Sequence, residues 1–188
     1  WFGRVMYNYK DKYLLQANIR YDASSRFASG YRWGSFPSVS AGWAISEEPF
    51  MQPTASWLSF LKLRASWGSL GNERIGSNFY PYQAILTFEN NALFYQGNTA
   101  LAAQSAAQFQ YAIRDISWET TNSFDIGVDV NFFQDRLRVT ADYYKKTTRD
   151  MLLALQIPNY VGFDNPFQNT GKMFTTGWEM QANWNDKI

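Results

Sequence analysis

The sequence predicts an all-β fold, in which about seven antiparallel, up-and-down strands form a segment of a transmembrane β-barrel. Two observations carry this prediction: apolar and polar residues alternate repeatedly with a period of two, and short and long connections follow each other in strict order. A third observation is that 46% of the residues are hydrophobic although the mean hydropathy is −0.39. Apolar residues are therefore interleaved with polar ones, and no run approaches the roughly 20 apolar residues that a membrane-spanning helix needs.

Seven segments have the two-residue period that places alternate side chains on opposite faces of a strand. They are residues 4–9, 13–22, 38–45, 61–68, 123–132, 137–143 and 177–184. In the clearest segment, Phe124, Ile126 and Val128 belong to one face, and Asp125 and Asp129 belong to the other. We therefore expect each strand to carry one apolar face and one polar face.

The connections between these segments are of two kinds. The tight or moderate ones are residues 10–12, 46–59 and 134–136, and the long ones are residues 25–36, 70–117 and 153–175. Bacterial outer-membrane barrels have short periplasmic turns and long extracellular loops, whereas both ends of a soluble sandwich face water. The strict order of short and long connections therefore favours an outer-membrane barrel, and seven strands require further strands to close it.

The polar face carries charge on most of the strands. Burial of so many ions in a dry core costs several kcal/mol for each unpaired ion, whereas a water-filled or plug-filled lumen avoids that cost. We therefore expect these polar side chains to face a lumen: Arg20, Arg64, Asp125, Asp129, Arg138, Asp142 and Glu179. Aromatic residues near the strand ends are expected to form girdles at the membrane boundaries: Tyr9, Tyr21, Trp43, Trp67, Phe132, Tyr143 and Trp184.

An antiparallel sheet with one face in water has the same alternation. A secreted all-β binding or adhesion module, without membrane insertion, is therefore the alternative to a barrel segment. The two differ in water, because a barrel segment exposes its apolar face and aggregates without detergent, whereas the module folds alone.

The composition argues against catalysis. The chain has no cysteine, no histidine and a net charge of +1, so thiolate chemistry, zinc–thiolate sites and the commonest general base are excluded. The charge balance gives no electrostatic case for nucleic-acid binding. We expect no catalytic residue, no metal site, no cofactor and no enzyme activity in this chain. Glu47 and Glu48 are a carboxylate pair in a short connection, where we interpret them as solvated turn residues.

Several stretches are specific enough to indicate a family. They are residues 43–50 (WAISEEPF), 61–72 (LKLRASWGSLGN), 118–122 (WETTN), 143–150 (YYKKTTRD), 169–171 (NTG) and 177–179 (GWE). In this order they resemble the SusC/RagA family of TonB-dependent outer-membrane transporters, and the resemblance spans nearly the whole chain. It implies a barrel of about 22 strands, with residues 1–188 as a partial barrel domain from its later half and with the plug domain and the other strands elsewhere.

The resemblance also implies the location and the partners. The chain would lie in the cell outer membrane, in contact with outer-membrane lipid. The TonB complex would act through an N-terminal part outside this chain, a SusD-like surface lipoprotein would be the partner, and a glycan or a peptide would be the imported substrate.

The long outer loops are where we expect substrate contact. They are rich in amides and aromatic rings, which offer both apolar contact and directional hydrogen bonds to sugars or peptides. The candidate residues are Trp33, Tyr80, Tyr82, Asn90, Asn91, Tyr95 and Tyr160. The alternative is that these side chains pack the loops on themselves or against a partner lid.

Overall fold

The computed structural model describes residues 1–74 and 79–186, apart from the side chains of residues 90 and 91. The strands in this part of the chain are β1 (Phe2–Tyr9), β2 (Tyr13–Ala23), β3 (Trp33–Ala44), β4 (Leu58–Asn72), β5 (Thr87–Gln96), β6 (Thr99–Ala107), β7 (Glu119–Phe132), β8 (Leu137–Ala154) and β9 (Phe167–Trp184). Seven of them form one sheet in the order β1-β2-β3-β4-β7-β8-β9, while β5 and β6 pair only with each other. Every neighbouring pair in the large sheet is antiparallel, so the predicted set of seven up-and-down strands is confirmed.

The connections of the large sheet alternate between its two ends, because successive strands run in opposite directions. We call these the turn end and the loop end. The turn end holds residues 10–12, 45–57 and 133–136, and the loop end holds loop A (residues 24–32), loop B (the described residues 73–74 and 79–118) and loop C (residues 155–166). The expected order of short and long connections holds for the two tight turns, but the connection of residues 45–57 is longer than those of residues 24–32 and 155–166. Two 3-10 turns, Ile45–Glu47 and Pro49–Thr54, build the middle connection of the turn end.

The two tight turns use left-handed backbone conformations without glycine. Lys10 and Asp11 have φ values of 53° and 55°, as the two central residues of the turn over residues 9–12 that the Lys12 N–H closes on the Tyr9 carbonyl oxygen at 3.1 Å. Asp11 stabilises this turn, since its backbone N–H donates to Asn8 Oδ1 at 3.0 Å and its carboxylate accepts from Asn8 Nδ2 at 2.6 Å. In the other tight turn, Asn131 Nδ2 donates to Asp135 Oδ1 at 2.7 Å.

The strands extend further at the loop end than the sequence predicts. Residues 167–175 were expected to be loop, but they belong to β9, and β3 begins at Trp33 within the predicted loop 25–36. Alternation is lost in β9 because apolar residues fall on both faces, Phe167 and Met173 on one and Phe174 on the other. The hairpin of β5 and β6 was also not predicted as strand. Its two-residue connection, Gly97-Asn98, is a hairpin signal between two β-forming runs.

The apolar face of the large sheet is more exposed than the polar face. In β2, Tyr13, Leu15, Ala17, Ile19 and Tyr21 are exposed, whereas the alternate residues Leu14, Gln16, Asn18 and Asp22 are half-buried. In β7, Phe124 and Ile126 are exposed by 43% and 46%. A sheet that folds in water buries its apolar face, so this sheet has the reverse arrangement, and the apolar residues of β7 do not converge into a closed core.

The few buried hydrophobic side chains lie at the two ends of the sheet rather than between two layers. Within the described residues they are Phe27, Phe36, Ala44, Leu58 and Ile116. Phe27 and Ile116 are the most buried, and both belong to loops, where they pack with Ile113, Trp118 and Leu152. The loop end, and not the sheet, therefore contains the small hydrophobic core of this chain.

The sheet is open, with β1 and β9 at its two edges. Among residues 1–74 and 79–186 there is no helix of the length and apolar character needed to cross a membrane.

Candidate functional site

The polar face contains an ion-pair cluster that joins three strands. Arg64 on β4 donates from Nε to Asp129 Oδ2 on β7 at 2.8 Å and from Nη2 to Asp129 Oδ1 at 3.2 Å. The same Nη2 donates to Asp142 Oδ1 on β8 at 2.9 Å. Thr140 Oγ1 adds a hydrogen bond to Asp129 Oδ1 at 3.2 Å. The predicted polar-face residues Arg64, Asp129 and Asp142 thus form one network, with each side chain between about a quarter and a third exposed.

Gly127 makes room for this network. It lies on β7, with Arg64 opposite it on β4 and Asp142 opposite it on β8. A Cβ atom at this position would overlap Asp142 Oδ1 and would lie 2.9 Å from Arg64 Nη2. The guanidinium group can therefore reach Asp142 across β7 only because residue 127 has no side chain.

The other polar-face candidates do not join the cluster. Arg20 pairs with Asp22 two residues along β2 at 2.8 Å, and the Arg20 side chain is 68% exposed. Arg138 and Glu179 are exposed. Asp125 is half-buried and interacts electrostatically with Arg64. The placement of all seven residues toward a lumen stays a prediction.

At the loop end, aromatic side chains connect loops A and B to the sheet through packing contacts. The Phe27 and Trp118 rings lie 5.5 Å apart, and the Phe36 and Trp118 rings lie 5.3 Å apart in an edge-to-face arrangement. Trp118 Nε1 donates to the Arg32 carbonyl oxygen at 2.9 Å. A Cβ atom on Gly71 would overlap the Phe36 ring, so the absence of a side chain at Gly71 lets this ring pack between β3 and β4.

Asn169 joins the end of loop B to strands β8 and β9. Its Nδ2 donates to the Asp150 carbonyl oxygen at 2.7 Å and to the Ser117 carbonyl oxygen at 3.0 Å. Its Oδ1 accepts from the Ser117 backbone N–H at 2.9 Å. Asp150 lies in an irregularity of the β8–β9 pairing and has a left-handed φ of 56°. The Asn169 side chain therefore satisfies a carbonyl group that the strand ladder leaves free.

The β5–β6 hairpin of loop B presents a largely apolar surface, with Glu89 near its base as its charged residue. Residues 90–113 include no Asp, Glu, Lys or Arg. Phe88, Leu93 and Phe94 are each 62% exposed, and Tyr95 is 73% exposed. A two-stranded hairpin is only marginally stable alone in water, and exposed apolar groups of this kind are typical of a binding surface.

The substrate-contact candidates occupy several separate places. Tyr80 and Tyr82 form an edge-to-face pair in loop B, with ring centroids 6.3 Å apart. Tyr95 projects from the hairpin, and Tyr160 is 90% exposed in the 3-10 turn of loop C. Trp33 stacks on Tyr21 at 4.9 Å on the apolar face of β2 and β3. The side chains of Asn90 and Asn91 lie outside the described residues. A substrate role for these seven residues stays a prediction.

Glu48 organises the turn end, a role that the sequence analysis missed. Its carboxylate accepts from Tyr13 Oη at 2.7 Å and from Trp43 Nε1 at 3.3 Å, and it pairs with Lys12 Nζ at 3.3 Å. The interpretation as a solvated turn residue holds for Glu47, which is exposed. It is wrong for Glu48, whose side chain is only 12% exposed, because three donors from the start of β2 and the end of β3 converge on it. The hydrogen bond from Tyr13, with smaller contributions from Trp43 and Lys12, lowers the pKa of Glu48.

This cluster predicts a pH dependence that can be assigned to one residue. Because the native pKa of Glu48 is lowered, its stabilising contribution is complete above the ordinary glutamate pKa of about 4.3 and is lost as the pH falls through the native value. The difference in unfolding free energy between the wild type and Glu48→Gln should therefore be constant near neutral pH and shrink in acid. Glu47→Gln is the control and should show no such difference. An equal acid dependence in both variants would contradict the assignment.

No group of three or more metal-ligating residues with a geometry suited to a metal ion is found in the described ranges, residues 1–74 and 79–186.

Comparison with known proteins identifies the family of this chain. A family model described as TonB dependent receptor-like, beta-barrel, matches residues 1–187. The chain belongs to this family. A TonB-dependent receptor of Formosa agariphila is 41% identical over 179 residues, which is 95% of this chain and 16% of that receptor. The TonB-dependent receptor SusC of Bacteroides thetaiotaomicron is 33% identical over 184 residues, or 97% of this chain and 18% of SusC.

Solved structures agree with this assignment. The RagAB peptide importer in its closed-closed state matches 100% of this chain and 19% of that chain, with a TM-score of 0.85 and 32% identity. The siderophore receptor PirA of Pseudomonas aeruginosa, at 14% identity and a TM-score of 0.59, shares the fold. The resemblance to SusC and RagA is confirmed, and the chain spans less than a fifth of the length of the SusC and RagA relatives it matches.

In this TonB-dependent receptor segment, the residues whose roles the sequence did not predict make side-chain contacts that hold its turns and loops in place. Glu48, Trp118 and Asn169 all lie in the family motifs, which marked them as family residues without indicating their contacts. Gly127 carried no signal beyond its position on the polar face of a strand.

Proposed function

We propose that this chain forms part of the wall and the outer loops of a TonB-dependent transporter in the cell outer membrane, which imports oligosaccharides or peptides. The exposed apolar face of the large sheet contacts outer-membrane lipid, and the polar face with the Arg64 cluster lines the lumen. The single observation that carries this proposal is the reversed burial of the two faces. An exposed face that includes Leu15, Ile19 and Ile126 suits hydrocarbon, and in hydrocarbon only a closed barrel leaves no unpaired strand edge.

The transporter binds its cargo and lets it pass through the barrel, and no residue of this chain is proposed to carry out chemistry. Further strands outside this chain close the barrel between β1 and β9. A plug domain fills the lumen and connects the transporter to the TonB complex, while a SusD-like surface lipoprotein is the partner at the loop end. The family membership and the loop architecture support these assignments.

The exposed hairpin of loop B is the proposed contact surface for cargo. Its aromatic and aliphatic side chains offer apolar contact area without charge, and the amides nearby offer hydrogen bonds. Tyr80, Tyr82 and Tyr160 lie in loops at the same end of the sheet. The residues that carry most of the energy at a binding surface are commonly aromatic, so the hairpin is the first place to test.

Replacement of Phe88, Phe94 and Tyr95 together by serine tests this proposal in the full-length transporter. Uptake of labelled short peptides or labelled malto-oligosaccharides, whichever the wild type imports, should fall roughly tenfold or more, because several aromatic contacts are lost. Uptake is measured in cells with and without a functional TonB complex. Phe50→Ser is the matched control, since Phe50 is 64% exposed but lies at the turn end.

Two results would contradict the proposal. Unchanged uptake by the triple variant would remove the hairpin as the cargo surface. Recovery of the full-length protein from the soluble fraction, with no TonB-dependent uptake of either probe, would remove the transporter itself and favour a secreted binding module.

A further inference from the structure

The three outer loops are connected at two separate places, one between loops A and B and one between loops B and C. Loop A contacts loop B through the burial of Phe27 against Trp118, through the bond from Trp118 Nε1 to the Arg32 carbonyl oxygen, and through the Arg26 guanidinium group 5.1 Å from the Phe79 ring centroid. These contacts combine a packed ring, a hydrogen bond and a cation–π contact. Loop A is therefore held at two places on loop B, at Trp118 near its end and at Phe79 near its start.

Loop B contacts loop C at a second place. The Tyr111 and Phe163 rings stack with their centroids 4.2 Å apart and their planes 19° apart. The Asp164 backbone N–H donates to the Phe109 carbonyl oxygen at 2.7 Å. Two residues beyond Tyr111, the Ile113 N–H donates to the Pro81 carbonyl oxygen at 2.8 Å, and this bond joins the two arms of loop B that flank the hairpin.

The Asn169 side chain attaches the end of loop B to strands β8 and β9, in addition to the packing of Trp118 on Phe36 of β3. Asn169 uses both of its polar atoms on the Ser117 backbone and also donates to the Asp150 carbonyl oxygen. The adjacent Ile116 is 2% exposed and packs near Leu152 of β8. The end of loop B is therefore attached to β8 and β9, while the same loop holds loop A on one side and loop C on the other.

We propose that loops A, B and C move as one body, and that Asn169 is the positioning residue that sets the place of this body on the barrel. A displacement at any one loop is then transmitted to the other two through loop B. The inference concerns the mechanics of the loops and does not depend on which cargo is imported.

Hydrogen–deuterium exchange of the full-length transporter in lipid nanodiscs tests this coupling. Asn169→Ala removes three hydrogen bonds, so exchange of backbone amides should rise about tenfold in residues 113–118 and also in loops A and C, which Asn169 does not touch. Asn165→Ala is the matched control. Asn165 Oδ1 accepts from the Ile157 N–H at 3.1 Å within loop C, so its replacement should change exchange in loop C only.

A distance measurement between loops A and C provides a second test. If Asn169 only anchored residues 113–118, its replacement would not change this distance. Spin labels at Ser29→Cys in loop A and Tyr160→Cys in loop C, on a background without other cysteines, should give one narrow distance distribution. Asn169→Ala should broaden this distribution, and Asn165→Ala should leave it narrow. If Asn169→Ala fails to assemble, Trp118→Phe replaces it, because this change removes the donor to Arg32 while retaining an aromatic ring; it should then broaden the same distribution.

Three outcomes would overturn the proposal. The first is faster exchange confined to residues 113–118, with loops A and C unchanged. The second is an equal effect of Asn165→Ala and Asn169→Ala on all loops. The third is a broad distance distribution in the wild type, which would mean that loops A and C move separately. If the protein did not transport cargo but its three loops still moved together, this inference would stand. That result would count against the proposed function alone.

Discussion

Replacement of Ile126 by arginine is expected to lower the unfolding free energy of the full-length transporter in lipid vesicles by about 2–4 kcal/mol. Ile126 lies on the apolar face of β7, between Phe124 and Val128, and its side chain is 46% exposed. In hydrocarbon a guanidinium group at this position loses its hydration, whereas in water the same exposed position would tolerate it within about 0.5 kcal/mol. The measurement is urea-induced unfolding followed by tryptophan fluorescence.

The control for this prediction is Ser123→Arg, on the opposite face of the same strand. Ser123 shares its face with Asp125 and pairs with Gly68 on β4 and Lys146 on β8. An arginine there should change the unfolding free energy by roughly 1 kcal/mol at most, because the polar face is expected to meet water or polar groups. If the two substitutions had equal effects, or if Ser123→Arg had the larger effect, the apolar face would not be the face that contacts lipid. Either result would contradict the barrel interpretation.

Replacement of Arg64 by leucine should destabilise the transporter by roughly 2–3 kcal/mol. Removal of one partner of a buried ion pair costs about 3–5 kcal/mol because it leaves uncompensated charge, and the partial exposure of Asp129 and Asp142, 28% and 23%, reduces this cost. Two carboxylates on adjacent strands would then repel each other without a cation between them. The same unfolding measurement detects the change.

Arg20→Leu is the matched control, since Arg20 pairs with Asp22 at an exposed position of the same face. An exposed ion pair contributes about 0–1 kcal/mol, so the loss should be small. Gly127→Ala should reproduce part of the Arg64→Leu effect, because its methyl group displaces Asp142 from Arg64. If Arg20→Leu and Arg64→Leu had equal effects, the three-strand cluster would have no special stabilising role.

The strands with regular alternation could be predicted from the sequence because every second side chain in them faces the same environment. Phe124, Ile126 and Val128 alternate with Asp125, Gly127 and Asp129, and this regularity fixes both the strand and its two faces. Prediction failed where that constraint ends. Beyond Lys146, polar residues and then an apolar run, Met151–Ala154, occupy both faces of β8. The alternation is lost there, and residues 153–154 of β8 and 167–175 of β9 were taken for loop.

The hairpin of loop B was missed for a related reason. Its runs, Ala92–Gln96 and Thr99–Ala103, are uncharged on both faces, so they lack the apolar–polar alternation that marks the other strands. The Gly97-Asn98 pair between them was the available signal. Glu48 was misassigned because a carboxylate in a connection is usually solvated, and nothing in its neighbours along the chain indicates that Tyr13 and Trp43 lie within hydrogen-bond distance.

The sequence alone determined the strand class, the number of sheet strands, the two faces and the family, because each follows from residue spacing within a short stretch or from motifs in order. Only the tertiary structure decided which charges meet, which glycine lets them meet, and how the loops are joined. Arg64 and Asp142 are 78 residues apart, and Trp118 and Arg32 are 86 apart. Contacts over such separations depend on strand order and register, which no local pattern of residues records.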